Sequence, residues 1–390
     1  MPKITHVIRH IHAEFEKPMI MLARILAKVQ PNKVVFLTNT LTYTCNPKYI
    51  SEALVKKFPN VDVVWLTGND RISQNDYPKN VKTIPLHSFK GFYAAYSAKI
   101  WVDNGIAFSA MFDRKPDQIH IQTMHGSLGI KRLDRAITSR QKHYWGRKEI
   151  YRESKFTDYV ITNSKFEEDV FKTVFWKNVP MYRLGHARTD VLFSQDLVKI
   201  KKLRQSLQMR YAIPENHKLV LYAPTHRAGF FPDIDTQGVI DALEKRFGGT
   251  FSFLIRFHIR SEDLNIKSDA DLRLYNVSDY PDIQELMLVC DVGITDYSSW
   301  IFDYVNTKKP GFIYAPDLEQ YNNKTGFYYS LEEAPFPIAT TNTSLCEQIV
   351  SFDDKDYCQK VDSFLQEKEA VDDGYSADRV AEMIASLLKL

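Results

Sequence analysis

The chain has 390 residues, 44% of them hydrophobic and 25% charged, with a formal net charge of +3. That length exceeds what one hydrophobic core organises and predicts two domains, and the near balance of charge gives no argument for nucleic-acid binding, so no nucleic-acid partner is expected. Four scattered cysteines (Cys45, Cys290, Cys346 and Cys358) form no CxxC pair, which excludes a zinc ribbon or disulfide scaffold and fits a reducing compartment. No window approaches 18 uninterrupted apolar residues and nothing after Met1 reads as a signal peptide. A cytoplasmic protein is expected, peripheral contact with the inner face of the cell membrane being the one membrane role still compatible.

Short β-branched runs recur along the chain, each followed by a helical pattern. Residues 34–37, 61–66, 99–102, 118–123 and 159–162 form a first series, and residues 218–223, 251–255, 272–275, 292–295 and 310–314 a second. Apolar strands alternating with helices predict parallel sheets covered on both faces. A charged helical stretch over 199–210 ends before Pro214, between the two series. The expected fold is therefore α/β, with two doubly wound Rossmann-like domains, 1–195 and 196–390, facing a central cleft. In such sheets ligands sit at the C-terminal ends of strands, so the residues that follow each strand carry the functional information.

His125-Gly126 follows the strand at 118–123, where a neutral imidazole can accept a proton from an attacking hydroxyl; the plain alternative is a histidine bonded in a turn. A basic stretch begins at Lys131 and Arg132 and continues through Arg135 and Arg140 to Lys155, with Tyr144, Trp145 and Tyr151 interleaved. It is expected to hold an anionic acceptor or an anionic membrane surface rather than serve only as a solvated face. Arg188 lies just before the linker, in Gly185-His186-Ala187-Arg188-Thr189-Asp190. Thr225 and Arg227 follow the strand at 218–223, and Arg256 and His258 follow the strand at 251–255 on one side of the chain. The strand at 292–295 runs into Asp296-Tyr297-Ser298-Ser299, and a helix with Asp303 follows. Hydroxyls and free N–H groups at a helix start suit a diphosphate, although capping by Asp296 or Ser298 alone has equal weight. There is no GxxxxGK[ST], GxGxxG, HExxH or GxSxG pattern, which disfavours P-loop kinases, dehydrogenases, zincins and serine hydrolases.

Ile294-Thr295-Asp296-Tyr297-Ser298-Ser299, continuing through Ile301-Phe302-Asp303-Tyr304 to Lys309-Pro310 and Tyr314-Ala315-Pro316-Asp317, resembles the CDP-glycerol glycerophosphotransferase family of teichoic acid and capsule polymer synthesis. Tyr222-Ala223-Pro224-Thr225 with Arg227, Arg256 with His258, and His125-Gly126 extend the resemblance over about 119–330. It implies a GT-B fold and transfer of a polyol phosphate from CDP-glycerol or CDP-ribitol to a hydroxyl of a glycan or lipid-linked polymer, with release of CMP. No cofactor or metal is implied. His125 and His258 become the catalytic pair. Arg256, Thr225, Arg227, Asp296, Ser298, Ser299, Asp303 and Arg188 become the nucleotide and diphosphate ligands. His226, Ile259 and Ser127-Leu128 depart from the family pattern and leave the polyol and the acceptor open. The competing enzyme reading is a glycosyltransferase or epimerase of the same architecture using a UDP- or CMP-sugar; a non-catalytic scaffold in a polymer-assembly complex is the third.

Overall fold

The computed structural model describes residues 16–68, 77–126, 128–133, 151–225, 233–257 and 267–390. The first sheet holds β1 (Gln30–Leu37), β2 (Asp62–Thr67), β3 (Val81–Pro85), β4 (Ala98–Asp103), β5 (Ile119–Gln122), β6 (Tyr159–Thr162) and β7 (Met181–Arg183). The second holds β8 (Lys218–Tyr222), β9 (Phe251–Ile255), β10 (Leu274–Asn276), β11 (Val292–Thr295), β12 (Gly311–Tyr314) and β13 (Ile338–Ala339). Their orders are β3-β2-β1-β4-β5-β6-β7 and β10-β9-β8-β11-β12-β13. All the strand pairs are parallel, and both orders reverse direction at a switch point, β1/β4 in one sheet and β8/β11 in the other.

Alternation along the strands splits the first core in two. Val34, Phe36, Val63 and Trp65 face one side with Ile50 and Leu54 of the helix Cys45–Lys57. Val35, Leu37, Val64 and Trp101 face the other with Phe92 and Tyr96 of the helix Phe89–Ser97.

The edge strands β3, β7 and β13 are absent from the sequence reading, because short segments that are half exposed or only two residues long carry no apolar run. β10 begins two residues later than expected because Arg273 is left-handed, with φ 52°, and closes a turn. The last helix, Ser376–Leu388, leaves the half of the chain in which it was expected. Val380, Ile384 and Leu388 are buried in the first core beside Val34 and Ile50. Burying each such side chain contributes roughly 1.5–3 kcal/mol, which fixes the return of the chain. No side chain of the preceding residue caps that helix; Asp190 does so from a distance, accepting the Ser376 and Ala377 N–H groups at 3.0 and 2.6 Å.

Candidate active site

β5 ends in a tightly held turn. The N–H and the hydroxyl of Thr123 both donate to the Asp103 carbonyl, each at 2.9 Å. Met124 is left-handed, with φ 49°, a conformation that costs about 1 kcal/mol for a residue with a side chain and persists only where neighbours enforce it. Two side chains enforce it. The Gln122 amide nitrogen is bound to Asp103 at 2.9 Å and Glu153 at 3.0 Å, which turns its oxygen onto the Met124 N–H at 2.9 Å. Asn46, buried at the start of the helix Cys45–Lys57, donates to the carbonyls of Thr123 at 2.9 Å and Met124 at 3.1 Å.

This turn delivers His125 with its ring open to solvent. Nδ1 lies 2.6 Å from the Asn104 carbonyl, which can only accept, so Nδ1 carries the proton and Nε2 keeps its lone pair. The protein packed around the ring pushes its pKa below 6.5, the nearby Arg188 charge adds to this, and the Asn104 bond opposes it. The neutral form of a base therefore dominates near pH 7. A Cβ built on Gly126 would meet no protein atom within 4 Å, so there is open room beside the ring.

Arg188 is 2% exposed and grips Asp303 with two bonds, Nε at 2.7 Å and Nη2 at 3.1 Å. Its Nη2 also donates to the Gly126 carbonyl at 2.9 Å, and its own N–H donates to Asn46 Oδ1 at 3.1 Å. Burial alone would lower the guanidinium pKa, and the Asp303 carboxylate more than reverses that, so the guanidinium stays charged. Expected as donor ligands, Arg188 and Asp303 instead neutralise each other inside the junction and lock the His125 turn to the second half of the molecule. Nothing in the sequence spacing shows that they oppose one another.

The chain after His125 inserts into the second half. Leu128 and Ile130 lie in its core, the Tyr329 hydroxyl donates to the Leu128 carbonyl at 2.6 Å, and the Tyr328 N–H donates to Ile130 at 2.8 Å. Lys131 bridges to Phe327, and the Arg132 guanidinium sits 5.7 Å from the centre of the Tyr328 ring. Both are half-buried at this junction rather than spread on an open acceptor or membrane face, because the strand-like docking of 128–133 pulls them in. Arg135 and Arg140 lie outside the described residues.

Beneath the second switch point, Asp296 is fully buried and its Oδ1 accepts the N–H groups of Thr225 at 2.7 Å and Tyr297 at 2.6 Å. It braces the ends of β8 and β11 and does not cap the following helix. That helix, Trp300–Tyr304, is five residues long and has no side-chain cap, so its dipole is short. Gly293 seats it: a Cβ there would come within 2.9 Å of the Tyr304 ring and 3.1 Å of the Trp300 ring.

Ser298 and Ser299 are partly exposed, and no protein hydrogen bond to either hydroxyl is present among the described residues. Among the described residues Thr225 Oγ1 and Arg256 Nε are buried without a partner, and the Arg256 guanidinium bonds from Nη2 to the Tyr280 carbonyl at 3.0 Å. Burial lowers the Arg256 pKa, as expected of a cation short of an anion. Arg227 and His258 lie outside the described residues. The sequence reading missed Asn46, Asn104 and Gln122. Pro47 was a legible sign of a helix start, but the reach of Asn46 to residues 123, 124 and 188 is purely tertiary.

A base with its lone pair exposed and a set of uncommitted hydroxyl and guanidinium donors suits attack of a hydroxyl on a phosphate ester. The comparisons agree with that chemistry. The family model described as CDP-Glycerol:Poly(glycerophosphate) glycerophosphotransferase matches residues 19–386. A teichoic acid poly(glycerol phosphate) polymerase of Staphylococcus epidermidis is 30% identical over 384 residues, 93% of this chain and 51% of that protein. A teichoic acid glycerol-phosphate transferase of Staphylococcus aureus is 27% identical over 93% of this chain and 95% of its own length. A solved structure of the wall teichoic acid polymerase TagF, a histidine variant soaked with CDPG, superposes with a TM-score of 0.81 at 26% identity, covering 100% of this chain and 98% of that one. The fold is thus GT-B-like, and the chain spans about half the length of the polymerases of S. epidermidis and Bacillus subtilis (51% and 48%). Matched along nearly its whole length by one family model, the chain belongs to the CDP-glycerol:poly(glycerophosphate) glycerophosphotransferase family.

Proposed function

We propose that this protein transfers glycerol phosphate from CDP-glycerol to a hydroxyl of a wall-polymer or capsule acceptor, releasing CMP. The carrying observation is the fixed tautomer of His125: with Nδ1 donating to Asn104, Nε2 is held ready to take the acceptor's proton. The acceptor oxygen forms a bond to the phosphorus that bears glycerol, the bond from that phosphorus to the CMP oxygen breaks, and CMP leaves with the electron pair. Ser298, Ser299, Thr225 and Arg256 supply donors for the charge on the two phosphates. His258 is the second histidine that the family resemblance implies. No cofactor takes part in this reading.

The test is CMP release from CDP-glycerol, with CDP-ribitol and a UDP-sugar in parallel, in the presence of a membrane or capsule extract as acceptor source. CMP from a CDP-polyol alone, lost in His125→Ala, supports the proposal. Turnover of the UDP-sugar alone makes the chain a sugar transferase or epimerase of the same fold.

A peripheral seat at the inner face of the membrane is part of the proposal. No helix of the described residues is long and apolar enough to cross a bilayer. Met21, Leu22, Ile25 and Leu26 are exposed at 65, 49, 71 and 54%, and Lys17, Arg24 and Lys28 are exposed with them. Apolar residues at this spacing flanked by cations suit an anionic interface. Flotation with phosphatidylglycerol vesicles, weakened by salt and by Ile25→Glu, is the expected result; binding indifferent to both removes the membrane seat.

A further inference from the structure

Arg256 lies near a buried carboxylate that does not pair with it. Its Nη2 donates to the Tyr280 carbonyl, and Asp282, two positions along the chain, is close enough for its charge to be felt at the guanidinium. A buried cation this near a carboxylate ordinarily closes on it. Here both carboxylate oxygens are occupied, one of them by the other half of the molecule. Asp282 Oδ2 accepts Lys48 Nζ at 2.7 Å and the Tyr49 hydroxyl at 3.0 Å, while Oδ1 accepts the Gln284 N–H at 3.1 Å. Glu285 is occupied in the same way, by Lys48 at 2.9 Å and by the Tyr280 hydroxyl at 2.6 Å.

Lys48 and Tyr49 belong to the helix Cys45–Lys57, whose buried residues sit in the first core. Asp282 precedes and Glu285 lies within the helix Ile283–Val289, packed in the second. The Lys48 and Asp282 side chains are 12% and 2% exposed, so solvent screens this contact little. Burial alone would make the lysine give up its proton, and the two carboxylates more than reverse that. One cation from the first domain thus offsets two anions of the second, next to a guanidinium whose Nε is left without a partner.

We propose that Lys48 is a positioning residue that keeps Arg256 available for the donor's phosphates by committing Asp282 and Glu285, so that the donor site is complete only when the two domains are docked. The inference rests on the donor-site reading above and assigns it a residue from the opposite domain. Without Lys48, Asp282 gains a free acceptor and an unbalanced charge beside Arg256, and the phosphate must then compete with a carboxylate on the same chain.

The experiment titrates inorganic pyrophosphate and CDP-glycerol separately by calorimetry, with a thermal scan of every variant. Lys48→Met is expected to weaken both ligands roughly tenfold. Adding Asp282→Asn and Glu285→Gln to it is expected to restore most of that loss, because the competing acids are gone. Asp282→Asn with Glu285→Gln alone, which retains the lysine and the cap on Gln284, is expected to bind pyrophosphate at least as tightly as the wild type. Should Lys48→Met fold poorly, the triple variant, which leaves neither acid charged, is set against the wild type instead, and roughly tenfold weaker binding there overturns the proposal. Unchanged binding in Lys48→Met overturns the proposal. So does a loss that the added Asn and Gln do not restore, since a purely structural clamp would behave that way. Wild type that binds pyrophosphate but not CDP-glycerol removes the donor reading and leaves Lys48 to be judged on pyrophosphate. Wild type that binds neither overturns both.

Discussion

The turn that carries His125 and the turn that carries Ser298 and Ser299 both follow a buried parallel strand, and they are braced in opposite ways. Around His125 the polar groups are committed: Thr123 to Asp103, Met124 to Gln122 and Asn46, Gly126 to Arg188, and the imidazole to Asn104. Around the serines the support lies underneath, in Asp296 and Gly293, and the groups that face outward are uncommitted. A base works when its orientation is fixed before the substrate arrives, so its neighbours hold it. A phosphate site works when its donors have no better partner than the ligand, so its neighbours leave it alone. The same fold supplies both because one turn sits at a domain junction and the other at a sheet's switch point.

The largest effect expected from this contrast is at His125. His125→Ala should lower kcat/KM about 10³-fold while leaving donor affinity and folding nearly unchanged, since the ring is exposed and makes one bond. Protein packed around its inner side and the Arg188 charge depress its pKa, so the acid limb of the pH profile should fall below 6.5 in the wild type. A variant that loses CDP-glycerol binding but retains turnover would place His125 in the donor site and collapse the distinction between the two turns. Arg188→Met and Arg256→Met form a second contrast. The first strands the buried Asp303 carboxylate and should destabilise the protein by about 3–5 kcal/mol in denaturant unfolding. The second removes a cation with one backbone bond, and should leave the unfolding midpoint nearly in place while raising the donor KM roughly tenfold. Equal effects on stability would show that Arg256 is as structural as Arg188.

Much of the fold was legible because buried parallel strands are uninterrupted apolar runs: β6, β9 and β11 stand on the residues that the pattern marks. The edge strands β3, β7 and β13 were not legible, because they are half exposed or only two residues long. At the site, residue type announced chemistry but not partnership. His125, Ser298 and Arg256 are placed where the strand ends put them. Asp296, Arg188 and Asp303 carry the same chemical credentials, yet the structure turns them inward, since each has a partner that only the tertiary fold supplies. Lys131 and Arg132 were expected at an acceptor or membrane face because they follow His125 so closely, while Leu128 and Ile130 before them draw that segment into the second core.

Asn46 tests whether the bracing of the His125 turn matters to the chemistry. Asn46→Ala removes two bonds to backbone carbonyls and one from the Arg188 N–H, two of the three fully buried. A loss of roughly 1–3 kcal/mol in stability is expected, with kcat reduced more than the donor KM. If kcat holds at wild-type level once the variant is folded, the strained turn is a folding feature and not a positioning device.

The smallest expected effect concerns the crossover helix that returns to the first core. Burial raises the Asp190 pKa to about 6, against the two N–H groups of Ser376 and Ala377 that favour its charged form. A carboxylate with a folded pKa above its unfolded value of 3.8 binds its proton more tightly in the native state. Its contribution to stability is therefore fully present below about pH 4, and is lost as pH rises through 6, after which it is constant. The wild type should lose stability relative to Asp190→Asn between pH 4 and 6, and the difference between their Tm values should be flat from pH 7 upward. The opposite slope would mean that the two N–H bonds outweigh burial and hold the carboxylate ionised. The cap would then resemble the committed bonds around His125, and the junction would extend its bracing as far as the last helix.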